Sequence, residues 1–266
     1  MPSTQYVALD FETTGLIAEI DRIVEIGAVR FDGAGDELGR FEALINPGRS
    51  MPPQAQAIHG ISDADVKDAP PIHAVLPLFL DFLGSPETTT LLAHHASFDA
   101  GFLGRELARC SLPIPRFGVA DTLALSRSVS PHYPTHRLEY LTRRYRLSPG
   151  APHRALGDSL RVKELWLKLG GPDRAVDRLI TFPIFDPTAS TPTPRGWDRL
   201  EQAISEGHSL LMEYEGGTRG NAPRTITPRR VVQRGGIVYV VAVCHFTNSE
   251  KSFRLDRIRK YDVIPS

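Results

Sequence analysis

A proline-rich stretch near residue 190 constrains the fold of this 266-residue chain more than any other feature. Its sequence, DPTASTPTPRG (residues 186–196), contains Pro187, Pro192 and Pro194 among Ser, Thr and Gly, and offers little that could pack into a core. We interpret it as part of a linker with a bias to extended conformations. The chain is therefore expected to form two domains, residues 1–175 and 195–266, joined by a linker over residues 176–194.

The first of these domains begins with strands. Three runs rich in strand formers follow one another, YVALDF, RIVEIGAVRF and LGRFEALINP, and the turn DGAG separates the last two. A helix is expected over Ile72–Gly84, then a short buried strand, TLLAHHA, and then a helix with Ser97 at its N-cap. Two further helices are predicted, at Arg137–Tyr145 and Ala155–Leu169. Strands followed by alternating helices and strands predict an α/β fold with a mixed sheet.

The second domain has a different pattern. Trp197–Gly207 fits one amphipathic helix, with Leu200, Ala203 and Ile204 on a single face. Short β-branched segments separated by Gly, Asn and Ser follow it: SLLMEYEG, RTITPRRVVQR, GIVYVVAVCHF and KSFRLDRIRKYDVI. This pattern predicts a small β-barrel or sandwich.

Two acids interrupt the first apolar strand. Asp10 and Glu12 are two residues apart, so their side chains project from the same face. Bringing two carboxylates together in an apolar environment costs free energy, because like charges repel and burial favours the neutral forms. Either a positive group compensates for this cost, or both acids lie on the solvated face of an edge strand.

Three further polar residues lie on separate predicted elements. Asp99 follows the strand TLLAHHA and opens the next helix, where an acidic cap is the commoner role. His153 and Asp158 are five residues apart, about 140° around a regular helix. They converge only if His153 sits at the helix entry and Asp158 lies one turn further on. A surface or capping role is the alternative for His153.

Together, four acids and one histidine form a consistent set for phosphodiester hydrolysis. Four carboxylates carry about four negative charges, which two Mg²⁺ or Mn²⁺ ions would balance, and hard oxygen ligands suit both ions. Two such ions about 3.5–4 Å apart can stabilise the attacking and the leaving oxygen of an in-line displacement. A neutral histidine can accept a proton from the attacking water. The set comprises Asp10, Glu12, Asp99, His153 and Asp158.

Three motifs carry a family resemblance: LDFETTGL (Leu9–Leu16), HHASFD (His94–Asp99) and HRALGD (His153–Asp158). With the weaker matches IHGIS, ADTLALSR and HRLEYLTRRY, residues 4–170 resemble the DnaQ-like exonucleases of the DEDDh subgroup, which includes polymerase proofreading subunits and ribonuclease T-type enzymes. The resemblance implies a ribonuclease H-like mixed sheet flanked by helices. It also implies metal-dependent removal of nucleotides from 3′ ends by a two-metal mechanism.

The resemblance further implies roles for the residues that match its motifs. Asp10, Glu12 and Asp158 should hold the metal that binds the nucleophilic water. Asp10 should also face a second metal at the departing 3′ oxygen, and Asp99 should act through that second metal. His153 should be the general base. The residues implied in binding the 3′-terminal nucleotide are Thr13, Gly15, Leu16, His59 and His94.

One position departs from the family pattern. His95 stands where the family commonly has Asn, a residue that often helps to order the site or the substrate. The departure bears on local contacts and not on the metal ligands. A structural role for His95 is the favoured interpretation.

The second domain resembles the WYL domain, a small Sm/SH3-like β-barrel module found mostly in bacterial regulators. The matching pieces lie within Arg195–Tyr261 and are WDRLEQAI, LLMEYEG, RTITPRRV, VYVVAVC and SFRLDRI, with Val238–Val240 in place of the triplet that names the domain. The resemblance implies a sensing role toward ligands that include nucleic acid. Arginine suits phosphate contacts and aromatic rings can stack on bases, although solvated arginines and core tyrosines are the alternative. The candidates for nucleic-acid contact are Tyr214, Arg229, Tyr239, Arg254 and Arg257.

Composition narrows the class of protein. Lys plus Arg and Asp plus Glu both number 31, but residues 195–266 carry 12 basic and 8 acidic side chains while the preceding residues carry 19 and 23. A basic second domain is consistent with nucleic-acid contact, and an ordinary solvated surface explains it about as well. The two cysteines exclude a disulfide framework, and no segment shows a secretory pattern or the roughly 18 apolar residues of a membrane span. We therefore expect a cytoplasmic protein without membrane association.

These observations predict a metal-dependent 3′→5′ exonuclease that acts on single-stranded 3′ ends of nucleic acid, DNA being favoured, with a role in DNA repair or proofreading. The second domain is expected to bind or sense nucleic acid. One alternative is an RNA-processing exoribonuclease. Another is a regulator that binds 3′ ends without cutting them, and the complete set of five polar residues argues against it. No motif identifies a protein partner.

Overall fold

The chain forms two compact units, Met1–Pro187 and Thr188–Ser266. In this computed structural model, the described residues are 5–148, 153–174, 180–186, 191–215, 222–234 and 237–264. The predicted linker over residues 176–194 falls partly outside these ranges and stays a prediction.

A mixed sheet forms the centre of the first unit. Its strands are β1 (Gln5–Thr13), β2 (Ile23–Phe31), β3 (Glu37–Leu44), β4 (Thr89–Ala93), β5 (Gly118–Asp121) and β6 (Thr181–Pro183). Within the described residues their order is β3-β2-β1-β4-β5-β6. Strand β1 pairs antiparallel with β2 and parallel with β4, so it is a central strand. The predicted α/β fold with a mixed sheet is confirmed.

Helices cover both faces of this sheet. They are α1 (Pro53–His59), α2 (Asp63–Val66), α3 (Ile72–Leu83), α4 (Ala96–Arg109), α5 (Thr122–Val129), α6 (Leu138–Tyr145) and α7 (Ala155–Lys168). The side chains of β1 alternate between two cores: Val7, Leu9 and Phe11 pack on the side of α3 and α4, whereas Tyr6 and Ala8 pack on the side of α6 and α7. Burial on both faces explains why the strand reads as a continuous apolar run.

The start of α4 differs from the sequence prediction. The helix begins at Ala96 with His95 at its N-cap, so the assignment of Ser97 as the cap is wrong. His95 adopts a left-handed conformation (φ 79°), and its backbone N–H donates to Asp121 Oδ1 at 3.0 Å. This turn starts the helix two residues earlier than the cap preference of Ser97 suggests.

The second unit contains one helix and an antiparallel sheet. Helix α8 (Asp198–Glu206) matches the predicted amphipathic helix and buries Leu200 and Ala203. The strands are β7 (Ser209–Tyr214), β8 (Arg224–Arg234), β9 (Ile237–Cys244), β10 (Ser249–Arg254) and β11 (Ile258–Ile264), in the order β10-β9-β8-β7-β11.

The closed barrel expected for this unit is not formed by its described residues. In the part of the unit that the structure describes, strands β10 and β11 are the two edges of the sheet and do not pair. A 3-10 turn, Leu255–Arg257, separates them. The backbone N–H of Arg254, the last residue of β10, donates to the Tyr214 hydroxyl at 3.2 Å. The sheet therefore stays open at this junction.

None of the described helices is both long and apolar enough to cross a bilayer.

Candidate active site

Two carboxylates project from the central strand β1. In the β1–β2 register Asp10 lies opposite Gly27, and Glu12 lies opposite Glu25. Because β1 is flanked by β2 and β4 and Glu12 is only 9% exposed, the solvated edge-strand interpretation is wrong for these residues. The sheet thus holds two acids on one face, with Glu12 buried and Asp10 half-buried.

A histidine and a third acid reach Glu12 from the start of α7. Ligand atoms of Glu12, His153 and Asp158 all lie within 4.8 Å of one another. His153 precedes the helix in a left-handed conformation (φ 58°), and its backbone N–H donates to Asp158 Oδ2 at 3.1 Å. Non-glycine residues adopt this conformation rarely, and such strain is typical of functional sites. His153 therefore lies at the entry of α7, which is the arrangement in which the sequence allows it to converge with Asp158.

Asp99 approaches β1 from the first turn of α4. Its carboxyl group is buried (3% exposed), and the nearby backbone of Phe11, between Asp10 and Glu12, opposes part of the rise that burial causes in its pKa. The three-residue cluster of Glu12, His153 and Asp158 includes neither Asp99 nor Asp10. Asp10 is nevertheless close to this cluster and to Asp99, because the charges of Asp99 and Glu12 both raise its pKa.

Burial and mutual repulsion raise the pKa values of these carboxyl groups. Burial, followed by the charges of Asp99, Asp158 and Glu12, raises the pKa of Asp10 well above its usual value. Burial and the charge of Asp158 raise the pKa of Glu12 to about 8. Burial also raises the pKa of Asp99 and of Asp158. A cation bound among these carboxyl groups would favour their ionised forms and would offset the free-energy cost of burying them.

Two arginines beside the site were missed in the sequence. Arg161 contacts the Oδ1 atom of Asp158, and Arg154 forms an ion pair with Glu25 at 2.6 Å (Nη2 to Oε1). Arg154 lies inside the HRALGD motif, and Glu25 is the one acid in the apolar run IVEIGAV. An acid in such a run needs a positive partner when it is buried, and this was the signal in the sequence that an arginine would lie beside it. These two arginines do not neutralise the whole group.

The donor set fits divalent metal ions. Asp10, Glu12, Asp99 and Asp158 supply four carboxyl groups. The two guanidinium groups offset their charge only in part, because Arg154 is already paired with Glu25. Hard oxygen donors and excess negative charge are what Mg²⁺ and Mn²⁺ require.

The end of β1 and the loop that leads to β2 carry three of the predicted nucleotide-binding residues. The Thr13 hydroxyl donates to the Gly15 carbonyl at 2.6 Å. Leu16 is 81% exposed although it is apolar. The Asp21 carboxylate holds the loop by accepting from the Ile17 backbone N–H at 2.9 Å. The loop therefore presents an apolar side chain to solvent directly after strand β1.

His59 and His94 have different surroundings. His59 is buried, its Nδ1 accepts from the Ile61 N–H at 3.0 Å, and its Nε2 has no hydrogen-bond partner of ordinary geometry among the described residues, although it lies near the Thr13 backbone. His94 uses both ring nitrogens, Nδ1 with Thr122 Oγ1 at 3.0 Å and Nε2 with the His136 carbonyl at 2.8 Å. His94 is thus bonded to protein through both ring nitrogens, whereas the buried Nε2 of His59 has no such bond among the described residues.

Of the residues predicted to contact nucleic acid in the second unit, some are bonded within the protein and others are exposed. Tyr214 is buried, packs on Phe253 with ring centroids 5.4 Å apart, and uses its hydroxyl within the unit. Arg254 pairs with Asp256 at 2.6 Å. Arg229 and Arg257 are exposed, and Tyr239 is half-buried. The exposed arginines are the better placed of the five for contact with a ligand.

The fold and the site together are those of an α/β enzyme that cleaves phosphodiester bonds. Residues 7–165 match the RNase_T family model, described as an exonuclease, and the chain belongs to this exonuclease family. Residues 196–263 match the model of the WYL domain. The resemblance to both families is confirmed.

Relatives of known name agree with this assignment. The chain is 39% identical over 163 residues to the DNA polymerase III subunit epsilon of Treponema pallidum, covering 60% of this chain and 74% of that protein. It is 37% identical over 164 residues to the PolC-type DNA polymerase III of Listeria innocua, covering 62% and 11%. A solved structure of exonuclease X in complex with 5′-overhanging duplex DNA is 29% identical, covers 65% of this chain and 96% of that one, and superposes with a TM-score of 0.52. The chain spans 25% or less of the length of several of the curated relatives that it matches.

Proposed function

We propose that this chain is a metal-dependent exonuclease that removes nucleotides from single-stranded 3′ ends, DNA being the favoured substrate. The observation that carries the proposal is the cluster of Glu12, His153 and Asp158, within 4.8 Å of one another and beside Asp10 and Asp99. It combines several hard oxygen ligands with one group that can accept a proton. A role in DNA repair or proofreading follows from the likeness to polymerase III epsilon.

Four carboxylates are the proposed metal ligands. Glu12 and Asp158, with Asp10, would hold one Mg²⁺ or Mn²⁺ ion, and Asp10 and Asp99 would hold or orient a second. When bound, the ions supply charge stabilisation for the attacking and leaving oxygens of the phosphodiester. Asp99 lies in the first turn of α4, and Asp10 and Glu12 lie on β1, so this strand and this helix position the ligands relative to each other.

His153 is the proposed general base. Its bond to Asp158 fixes the backbone, and its side chain is 39% exposed, so water can reach the imidazole. The Nε2 atom lies 3.6 Å from Glu139 Oε1, and this carboxylate would stabilise the imidazolium that forms when His153 accepts the proton from water. Glu139 belongs to the weaker motif HRLEYL and had no role assigned from the sequence.

The loop after β1 and His59 are proposed to hold the terminal nucleotide. The exposed Leu16 offers an apolar surface to an unpaired base, and the buried Nε2 of His59 offers a polar contact. Thr13 and Gly15 shape the backbone of the loop. A duplex end must separate before its 3′ terminus reaches the buried carboxylates, which is the physical reason to favour single strands.

The WYL domain is proposed to bind or sense nucleic acid. The excess of basic residues after residue 194 and the exposed side chains of Arg229 and Arg257 support a phosphate contact. Cytoplasmic location and the absence of membrane association remain part of the proposal.

End-labelled strands test the direction and the substrate. Full-length protein with Mn²⁺ is given matched DNA and RNA oligonucleotides labelled at either the 3′ or the 5′ end. We expect early loss of a 3′ label as mononucleotide, a ladder from the 5′-labelled strand, and no product with excess chelator. Early release of a 5′-terminal mononucleotide, or unchanged cutting with chelator, would contradict the proposal.

A further inference from the structure

We propose that Glu25 and Arg154 form a positioning pair that fixes His153 and Asp158 relative to Glu12. The inference rests on the proposed function, since it concerns the same site. Neither residue is a proposed metal ligand or base. Their role would be to set the rate of turnover and the affinity for metal, and not the affinity for the strand.

Both carboxylate oxygens of Glu25 accept hydrogen bonds from the start of α7. The residue is fully buried. Its Oε1 accepts from Arg154 Nη2 at 2.6 Å and from Arg154 Nε at 3.0 Å, and its Oε2 accepts from the Ala155 backbone N–H at 2.8 Å. A carboxylate with bonds to a guanidinium fork and to a helix N-terminus is fixed in both position and orientation.

The pair connects directly to the catalytic residues along the chain. Arg154 lies between His153 and Ala155 and is the N-cap of α7. Its carbonyl accepts from the Asp158 backbone N–H at 2.9 Å, while the Asp158 carboxylate accepts from the His153 N–H at 3.1 Å. Any shift of Arg154 therefore moves the general base and one metal ligand together.

The register of the β1–β2 pair connects Glu25 to Glu12. Glu25 lies directly opposite Glu12 across the β1–β2 ladder. Two residues further along β2, Gly27 lets the helix approach so closely that a Cβ atom there would lie 2.1 Å from the Ala155 carbonyl carbon. Strand β2 thus holds the start of α7 against the strand that carries Glu12.

The choice of an ion pair here argues for positioning and against packing alone. A buried ion pair is often no more stabilising than apolar residues of similar volume. Glu25 also adds a negative charge directly opposite Glu12 across the β1–β2 ladder. A position that served only to pack the helix would not need a carboxylate next to four others.

Substitutions at Arg154 test the inference with little risk to folding, because its side chain is 44% exposed. We expect Arg154→Ala and Glu25→Gln to lower kcat on a 3′-labelled DNA strand by about 10–100-fold, as is usual for residues behind metal ligands, with little change in KM. Arg154→Lys should recover only part of kcat, because an ammonium group keeps the charge but loses the fork. The double variant should be little worse than either single variant, since both remove one interaction.

Leu83→Ala is the matched control for loss of stability. Leu83 is fully buried at the end of α3 and belongs to neither the site nor the pair. At a temperature where circular dichroism shows each variant to be folded, Leu83→Ala should keep the kcat of the wild type. Wild-type kcat in folded Arg154→Ala and Glu25→Gln would overturn the inference.

Metal binding separates this inference from the proposed function. Titration calorimetry with Mn²⁺ alone should show weaker binding to Arg154→Ala and Glu25→Gln than to wild type or Leu83→Ala. If the wild type cuts no strand, the proposed function fails, but weaker Mn²⁺ binding by the two variants still supports the positioning pair. Unchanged Mn²⁺ affinity in both folded variants overturns it in either case.

Discussion

At the scale of single residues, the site concentrates negative charge where water is scarce. Glu12 illustrates this, because its usual pKa of 4.5 rises to about 8 through burial and the charges of Asp158 and Glu25. The sequence predicted that Asp10 and Glu12 share a face, since alternation along a strand depends only on spacing. It could not identify Glu25 or Glu139 as neighbours, because those contacts depend on how distant segments meet.

The raised pKa of Glu12 predicts a pH-dependent stability for the metal-free chain. A carboxyl group whose pKa is higher in the folded state favours folding below its unfolded value, and that stability is lost as the pH rises through the folded value. We therefore expect the metal-free wild type to lose stability between about pH 4.5 and pH 8 through this group, by a few kcal/mol at most.

Glu12→Gln should remove this dependence in part. Thermal unfolding of metal-free protein should show Glu12→Gln gaining Tm over the wild type at pH 8 and gaining little at pH 4.5. Added Mg²⁺ should raise the Tm of the wild type at pH 8 more than that of the variant. A variant that is less stable than the metal-free wild type at pH 8 would contradict the electrostatic account.

At the scale of elements, the site depends on the meeting of β1, β2, α4 and α7. The spacing of apolar residues and the positions of proline and glycine predicted most of these elements, including the start of α7 close to His153. The start of α4 was misplaced because the left-handed turn at His95 depends on a tertiary hydrogen bond to Asp121, which no local preference of Ser97 reveals. The open edge between β10 and β11 was missed for a similar reason, because closure depends on pairing over distance and not on strand propensity.

Gly27 tests the contact between β2 and α7. Gly27→Ala places a Cβ 2.1 Å from the backbone at Ala155 and Leu156, so the helix must shift. We expect a loss of about 1–3 kcal/mol in the free energy of unfolding, as is usual for overpacking, together with a lower kcat. Gly33→Ala is the control, because a Cβ at Gly33 meets nothing within 4 Å. Equal unfolding midpoints in urea for the two variants would argue against the close approach.

At the scale of the whole molecule, an exonuclease unit and a WYL domain share one chain. The sequence predicted both units, because the proline-rich stretch and the change in strand pattern are visible without tertiary contacts. Charge is also divided between them, with the basic excess after residue 194. What the second unit binds depends on which side chains stay free after folding, and Tyr214 shows that a candidate can instead belong to the core.

The exposed arginines of the WYL domain predict a salt-dependent contact. Arg229→Ala and Arg257→Ala should each weaken binding of a long single strand and reduce the slope of log affinity against log salt by about 1 per lost phosphate contact. Arg199→Ala, an exposed residue on α8, should leave the slope unchanged. Fluorescence anisotropy in chelator, which blocks cutting, measures this. Identical slopes for all four proteins would remove the proposed contact.

The central claim is that the carboxylates on β1, α4 and α7 act with metal ions to cut a 3′ end, and Asp10→Asn tests it most directly. The measurement is single-turnover cleavage of a 3′-labelled strand in Mn²⁺ by the full-length chain, with binding of the strand followed in parallel. We expect the wild type to release the terminal nucleoside monophosphate, whereas folded Asp10→Asn binds the strand and cuts it at least about 100-fold more slowly, a difference that corresponds to about 2.7 kcal/mol in the barrier. Cleavage by Asp10→Asn at the wild-type rate would contradict the account.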